Sequence, residues 1–229
     1  MTWRCRQGAR AYLAGALVTA VWTSLAGAAE PQLYETGPAM DSSFVRFVNS
    51  TEMQLEVRSD RKTSLSVPTS QRVSAFLPVR AGASLAGELS QGSARRAINM
   101  AVKAGQFVTI VGSAGEGGSL LGTAVAEPPA EFTSVRASLA LYNLDPTCTK
   151  GQLLAVTQNA LVFSDVPPGS AQRRVVNPVG LKVQAQCGGV AAGASLDLGH
   201  LEAGKRYSVF LAKGPRGSFV FAATDNIAR

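Results

Sequence analysis

The chain is poor in the side chains that most enzymes and metal sites need. Its 229 residues include one histidine, His200, and three cysteines. So small a set of imidazoles and thiols does not assemble a metal site from the usual nitrogen and sulfur ligands. His200 stands alone in the turn-like stretch Leu198-Gly199-His200-Leu201, a setting of polar surface. No G-x-S-x-G elbow occurs, and neither does G-x-x-x-x-G-K-[ST] or a G-x-G-x-x-G opening a helix. Residues 112–118 are glycine-rich but lack the lysine of a phosphate loop and sit between strands. The 15 acidic residues fall mostly in turns, so no carboxylate pair for glycoside hydrolysis stands out. The expectation is a protein that is not an enzyme and carries no cofactor or metal. Helical periodicity is also scarce: residues 93–100 are the one candidate for a short helix. Charged residues make up only 16%.

What is present begins with an export signal. Arg4, Arg6 and Arg10 precede an apolar run over residues 11–26, and Ala26-Gly27-Ala28 forms an A-x-A cleavage site. The run is short for a membrane span of about 20 residues, and residue 28 is Ala, not the Cys of a lipoprotein signal. Cleavage after about Ala28 is expected, which places the protein in the periplasm. The leader removes three of the 22 basic residues and no acid, leaving 19 against 15, or +4. That balance permits contact with an anionic polymer but is not the footprint of a nucleic-acid binder.

A phrase in the remaining chain occurs twice. Ser43-Phe44-Val45-Arg46-Phe47-Val48-Asn49 is echoed by Ala137-Ser138-Leu139-Ala140-Leu141-Tyr142-Asn143. Each strand-like run stops at an Asn, and each has a closing partner. Ala104-Gly105 leads into Phe107-Val108-Thr109-Ile110-Val111, and Ala203-Gly204 leads into Tyr207-Ser208-Val209-Phe210-Leu211. A long-period repeat of this kind sets the architecture. Short alternating runs separated by turns, six or seven in each half, describe β-sandwiches. The fold expected is therefore all-β: two tandem β-sandwich domains, Ig-like or jelly-roll-like, over residues 29–129 and 130–229, after the signal peptide of residues 1–28. Glu127-Pro128-Pro129-Ala130-Glu131 reads as a proline-stiffened linker. In the first strand Phe44, Arg46 and Val48 face one way, and Val45, Phe47 and Asn49 the other. Asn49-Ser50-Thr51 spells a glycosylation sequon; the plainer reading is an Asn-led turn.

Export bears on the cysteines. Cys5 leaves with the leader, and Cys148 and Cys187 remain as an even pair in an oxidising compartment, so a disulfide is expected. A redox pair is the alternative, but the C-x-x-C spacing is missing. Candidate contact residues for a partner or polymer are Arg173 and Arg174 beside Asn177-Pro178, together with Arg46 and Tyr34. Proline cannot donate to a ladder and favours sheet edges, so Arg173 and Arg174 are expected on an exposed edge. Arg95 and Arg96 form a further basic pair in the first half. Tyr34, Tyr142 and Tyr207 are rings suited to sugar or protein surfaces, and equally to a half-buried core.

Two stretches carry a resemblance. Leu33-Tyr34 with Gly37-Pro38-Ala39, followed by residues 43–49, resembles the mature start of the alginate O-acetylation accessory protein family, AlgF. Asp165-Val166-Pro167-Pro168-Gly169 leading into Arg174-Val175-Val176-Asn177-Pro178-Val179 resembles its second half. The resemblance spans nearly all of the mature chain, and neither stretch is catalytic. It implies a periplasmic adaptor in alginate biosynthesis, needed for O-acetylation of an exported polysaccharide and supplying no transferase chemistry. Its partners would be periplasmic SGNH-type acetyltransferases and a membrane O-acyltransferase, with anionic polysaccharide as a further contact. The chain departs from the family pattern in its cysteine pair and its longer turn over residues 187–194. Alginate and acetylated cellulose both remain open as the exopolysaccharide. Outside the resemblance, the same residues also fit a free-standing carbohydrate-binding β-sandwich module.

Overall fold

A computed structural model describes residues 42–60, 63–127 and 133–228, all within one compact unit. The expected leader, Tyr34 and the expected boundary near Pro129 lie outside these residues. Among the described residues the regular structure is β apart from one 3-10 turn, Glu116–Gly118, and no helix is long and apolar enough to cross a membrane. The first half contributes β1 (Ser42–Asn49), β2 (Leu55–Ser59), β3 (Ser64–Val67), β4 (Leu77–Arg80), β5 (Ser84–Gln91), β6 (Ala94–Ala101), β7 (Phe107–Ala114) and β8 (Leu120–Ala126). The second contributes β9 (Ala137–Leu144), β10 (Gly151–Ala155), β11 (Ala160–Val166), β12 (Ser170–Val176), β13 (Gly180–Cys187), β14 (Val190–Ala191), β15 (Leu196–His200), β16 (Arg206–Gly214) and β17 (Gly217–Asp225).

The repeated phrase turns out to be a parallel pairing. β1 lies parallel to β7, with Phe47 opposite Ile110, and β9 lies parallel to β16, with Leu141 opposite Val209. The sheet orders repeat as well. One sheet runs β4-β1-β7-β8 and its counterpart runs β12-β9-β16-β17. The partner sheets run β3-β2-β5-β6 and β11-β10-β13-β14, with β15 also on β13. Each half is thus a two-sheet sandwich.

Residues 93–100, the helix candidate, form most of β6. The two-residue turn Gly92-Ser93, with Gly92 at φ 54°, folds the chain back so that Gln91 pairs with Ala94 and Ser84 with Ala101. Ala94, Ile98 and Met100 face the core while Arg95, Ala97 and Asn99 are exposed. This two-residue alternation outweighs local helix preference.

Alternation along β1 also explains how the halves meet. Val45 and Phe47 pack into the first sandwich core, with Leu55, Leu89 and Ile110. Val48, on the opposite face, packs with Ala140, Tyr142 and Phe210 of the second half. On β9, Leu139 and Leu141 point into the second core, and Ala140 and Tyr142 point back at β1. The four sheets therefore stack in layers, and β1, β7, β9 and β16 are covered on both faces. The C-terminal residues return to the first half: the Phe76 N–H donates to the Asn226 carbonyl at 2.7 Å, and the Ala228 N–H donates to the Phe76 carbonyl at 2.8 Å.

The Asn that ends each repeated phrase is a buried staple. Asn49 Nδ2 donates to the carbonyls of Met53 and Val67, both at 2.8 Å, and its Oδ1 accepts from the Thr51 amide at 2.9 Å. Asn143 Nδ2 donates to the carbonyls of Cys148 at 2.7 Å and Val166 at 2.9 Å. Asn49 is fully buried, so its side chain is engaged as a turn-former and not presented as a glycosylation acceptor. Asn143→Ala strands two buried carbonyls, each costing about 1–3 kcal/mol when left unpaired. A loss of about 2 kcal/mol or more in urea unfolding is expected, and a change below about 0.5 kcal/mol would show the staple to be dispensable.

Candidate functional site

The opposed faces of β1 and β7 on one side and β9, β12, β16 and β17 on the other enclose a cluster of five ions. Arg46, Arg173, Arg206, Glu127 and Asp225 contribute it. Arg46 donates to Asp225 Oδ1 at 2.6 Å, to Thr109 Oγ1 at 2.9 Å and to Ser208 Oγ at 3.0 Å. Arg173 spans both acids, with Nε 2.8 Å from Glu127 Oε2 and NH2 2.7 Å from Asp225 Oδ2. Arg206 donates to Glu127 Oε2 at 2.6 Å. The Tyr142 hydroxyl donates to Glu127 Oε1. The side chains of Arg46, Arg173, Glu127 and Asp225 are all at most 2% exposed.

Register shows that the cluster is built from equivalent positions. Glu127 lies opposite Phe107 and donates its N–H to the Phe107 carbonyl at 2.9 Å, just as Asp225 lies opposite Arg206. Thr109 in β7 corresponds to Ser208 in β16, and Phe107 to Arg206. The two faces are complementary because the equivalent positions differ. The Arg206 guanidinium sits 4.6 Å above the Phe107 ring, and that of Arg46 sits 4.3 Å above Phe76. Stacking of this kind helps a desolvated guanidinium.

The electrostatics follow the geometry. Burial raises the Asp225 carboxyl, but Arg46 and Arg173 outweigh it and hold its pKa below the usual carboxylate value. Burial opposes the charge on Arg46, yet Tyr142, Asp225 and Glu127 keep its pKa above the ordinary arginine value. Burial, and then the Arg173 guanidinium, push Arg206 below it. Burial drives the Tyr142 phenol far upward, so it stays protonated as a donor. Three guanidinium groups face two carboxylates, a net +1. The ions are spent on one another, and their bonds tie Arg46 and Glu127 of the first half to Arg173, Arg206 and Asp225 of the second.

This corrects three expectations. Arg173 is not on an exposed face: β12 is an edge strand within its sheet, but the side chain of Arg173 points between the stacked sheets and is 1% exposed. Glu127 does not begin a free linker: it is buried and bonded to Arg173, Arg206 and Tyr142. Arg46 faces away from its own core, as the alternation predicts, but into the same cluster and not toward solvent.

Arg174 and Asn177 are exposed. Arg174 donates to the Val162 carbonyl at 2.6 Å and lies beside an open groove of about 380 Å³ between β11 and β12, bordered by Ser164 and Gln172. Tyr142 and Tyr207 are core residues, 0% and 7% exposed, and among the described residues no aromatic ring is exposed. Cys148 and Cys187 are bonded, with Cα atoms 5.5 Å apart. Among the described residues no three His, Cys, Asp or Glu side chains gather as ligands for a metal. Neither a family model nor a curated protein matches the chain.

Glu127, Arg206 and Asp225 escaped the reading of the sequence. A signal for them existed: Arg46, Thr109 and Ser208 are polar side chains in the middle of otherwise apolar strands, and buried polar groups require partners.

Proposed function

We propose that the protein is a non-catalytic periplasmic adaptor for O-acetylation of an exported polysaccharide, alginate or a similar polymer. The observation that carries this reading is the resemblance of two separate stretches to the AlgF family, and the places those stretches occupy support it. Residues 43–49 are β1, and the second stretch runs through the turn after β11 and along β12. β1 supplies Arg46 and β12 supplies Arg173 to the same cluster. The first stretch therefore contains a member of the cluster, Arg46, and the second flanks another, Arg173. A rigid body of this kind, with sheet edges turned outward, suits holding SGNH-type transferases and a membrane O-acyltransferase in reach of one another. The competing reading, a free-standing carbohydrate-binding module, calls for exposed rings, and Tyr142 and Tyr207 are in the core.

The exposed end of β12 is the docking edge in this reading, with Arg174 able to make bidentate contacts to a carboxylate and Asn177 beside it. Arg174→Ala with Asn177→Ala should change stability by no more than about 0.5 kcal/mol. The same variant should weaken capture of the SGNH-type transferase, more at low than at high salt, and lower the acetyl content of the polymer in cells. Unchanged capture together with full acetylation would make this edge a solvated face. Loss of the whole protein without any change in polymer acetylation would overturn the function itself.

A further inference from the structure

The first sandwich holds an apolar cavity of about 200 Å³ between its two sheets. Val57, Leu65, Leu77, Leu85, Ile98 and Ile110 line it. Its polar lining residues, Arg58, Ser59 and Thr63, are exposed and so lie toward the mouth. A second groove of about 310 Å³, of mixed polar and apolar lining, adjoins that mouth; it shares Ser59 and Leu85 with the cavity and adds Asp60, Arg80 and Ser84.

The fold does not demand this space, as the second sandwich shows at the equivalent positions. Val57 pairs with Leu65 in the first half, and Leu153 pairs with Phe163 in the second. Gly87 pairs with Ile98, where Val183 pairs with Leu196. Thus Leu, Phe and Val stand where the first sandwich has Val, Leu and Gly. Those larger residues are buried, Leu153 at 0%, Phe163 at 5% and Val183 at 1%, whereas Leu65 and Ile98 are only partly buried. Gly87 cannot simply be enlarged, because a Cβ there would lie 2.5 Å from the Arg58 carbonyl oxygen.

Carbon-lined space of this kind is unattractive to water, which needs two to four polar partners; a dry cavity of about 150 Å³ takes benzene. The present one is somewhat larger and opens beside polar surface. We propose that it is a binding site for the apolar tail of a small amphiphile, whose oxygen-rich head rests in the groove of Asp60, Arg80 and Ser84. Among the described residues Arg58 and Arg80 stand at the mouth against Asp60, so the rim offers donors to hydroxyl or anionic oxygens of the head. The site is independent of the docking edge on β12 and of the acetylation reading.

Octyl glucoside below its micelle concentration is a suitable probe, with glucose and benzene as comparisons. Calorimetry on the exported protein should show one saturable site for octyl glucoside and none for glucose. Leu65→Phe, which installs the residue found at the equivalent position of the second sandwich, should weaken binding at least ten-fold while the protein stays folded. In methyl NMR the wild-type resonances of Leu65, Leu85 and Ile98 should shift on titration. This second measurement decides the matter if Leu65→Phe fails to fold. Absence of saturable binding, undiminished binding by a folded Leu65→Phe variant, or shifts confined to other methyls would overturn the site. Binding of benzene without octyl glucoside would overturn the amphiphile.

Discussion

Asp225→Ala should destabilise the protein by about 3–5 kcal/mol, because removing one member of a buried ion pair leaves its partners charged and desolvated. Arg46 loses a 2.6 Å bond and Arg173 a 2.7 Å bond in the one substitution. For a chain of this size such a loss corresponds to about 6–20 °C in the melting temperature. Chemical unfolding with a single transition is the appropriate measurement. A loss below about 1 kcal/mol would mean that water or rearrangement satisfies the two arginines. The contrast with the exposed pair Arg95–Glu88, 3.5 Å apart and over 40% exposed on both sides, is part of the test: Glu88→Ala should be close to neutral.

The cluster also fixes the sign of the pH dependence. Asp225 has a lowered pKa in the folded state, and so does Asp145, whose burial is outweighed by hydrogen bonds from Ser218 and Thr147. In the unfolded chain both titrate near the ordinary value of about 3.9. The unfolded state therefore binds more protons in acid, and the stability these groups contribute is full above about pH 4 and lost as the pH falls below it. Tyr142 acts at the other end. Its folded pKa is raised, so its contribution is full below about pH 10 and is lost at higher pH. Asp225→Ala should remove much of the acid-side slope.

Much of this architecture was legible because strands advertise their faces. The alternation of β1 correctly divided Phe44, Arg46 and Val48 from Val45, Phe47 and Asn49. The echo of residues 43–49 in 137–143 correctly announced two sandwiches, but that each opening strand lies parallel beside its closing one was not read from it. The stacking of the sandwiches was harder to see. A strand covered on both faces reads as a near-continuous apolar run, and β9, buried from Ala137 to Asn143, is such a run. The partners of Arg46 were not readable, since Asp225 is 179 residues away and nothing local marks the pair. Arg173 was misplaced for a related reason. Being at the edge of a sheet leaves backbone groups open, but a side chain perpendicular to that sheet is exposed only if no second sheet lies over it. Here the β1 sheet does.

Reducing the Cys148–Cys187 bond should lower stability by about 4 kcal/mol, as expected for closing a loop of this length in the unfolded chain. The separation is 39 residues. The native corner has other ties: Asn143 Nδ2 holds the Cys148 carbonyl at 2.7 Å, and the Gly188 N–H donates to the Lys150 carbonyl at 3.0 Å. The first sandwich shows that the corner can be closed without sulfur. By register Gln91 occupies the place of Cys187, since Glu56 pairs with Ser90 as Gln152 pairs with Gln186. Gln91 Nε2 there donates to the Met53 carbonyl at 3.1 Å and to Thr51 Oγ1. The bond should thus act mainly on the unfolded ensemble. Cys148→Ala with Cys187→Ala should retain the native fold while its urea midpoint drops, and its melting temperature should fall by about 8–16 °C. Thiol labelling of the unfolded, non-reduced protein should find neither Cys148 nor Cys187 free. A double variant as stable as the parent, or two labelled thiols before reduction, would remove the bridge from the account of what holds the second sandwich together.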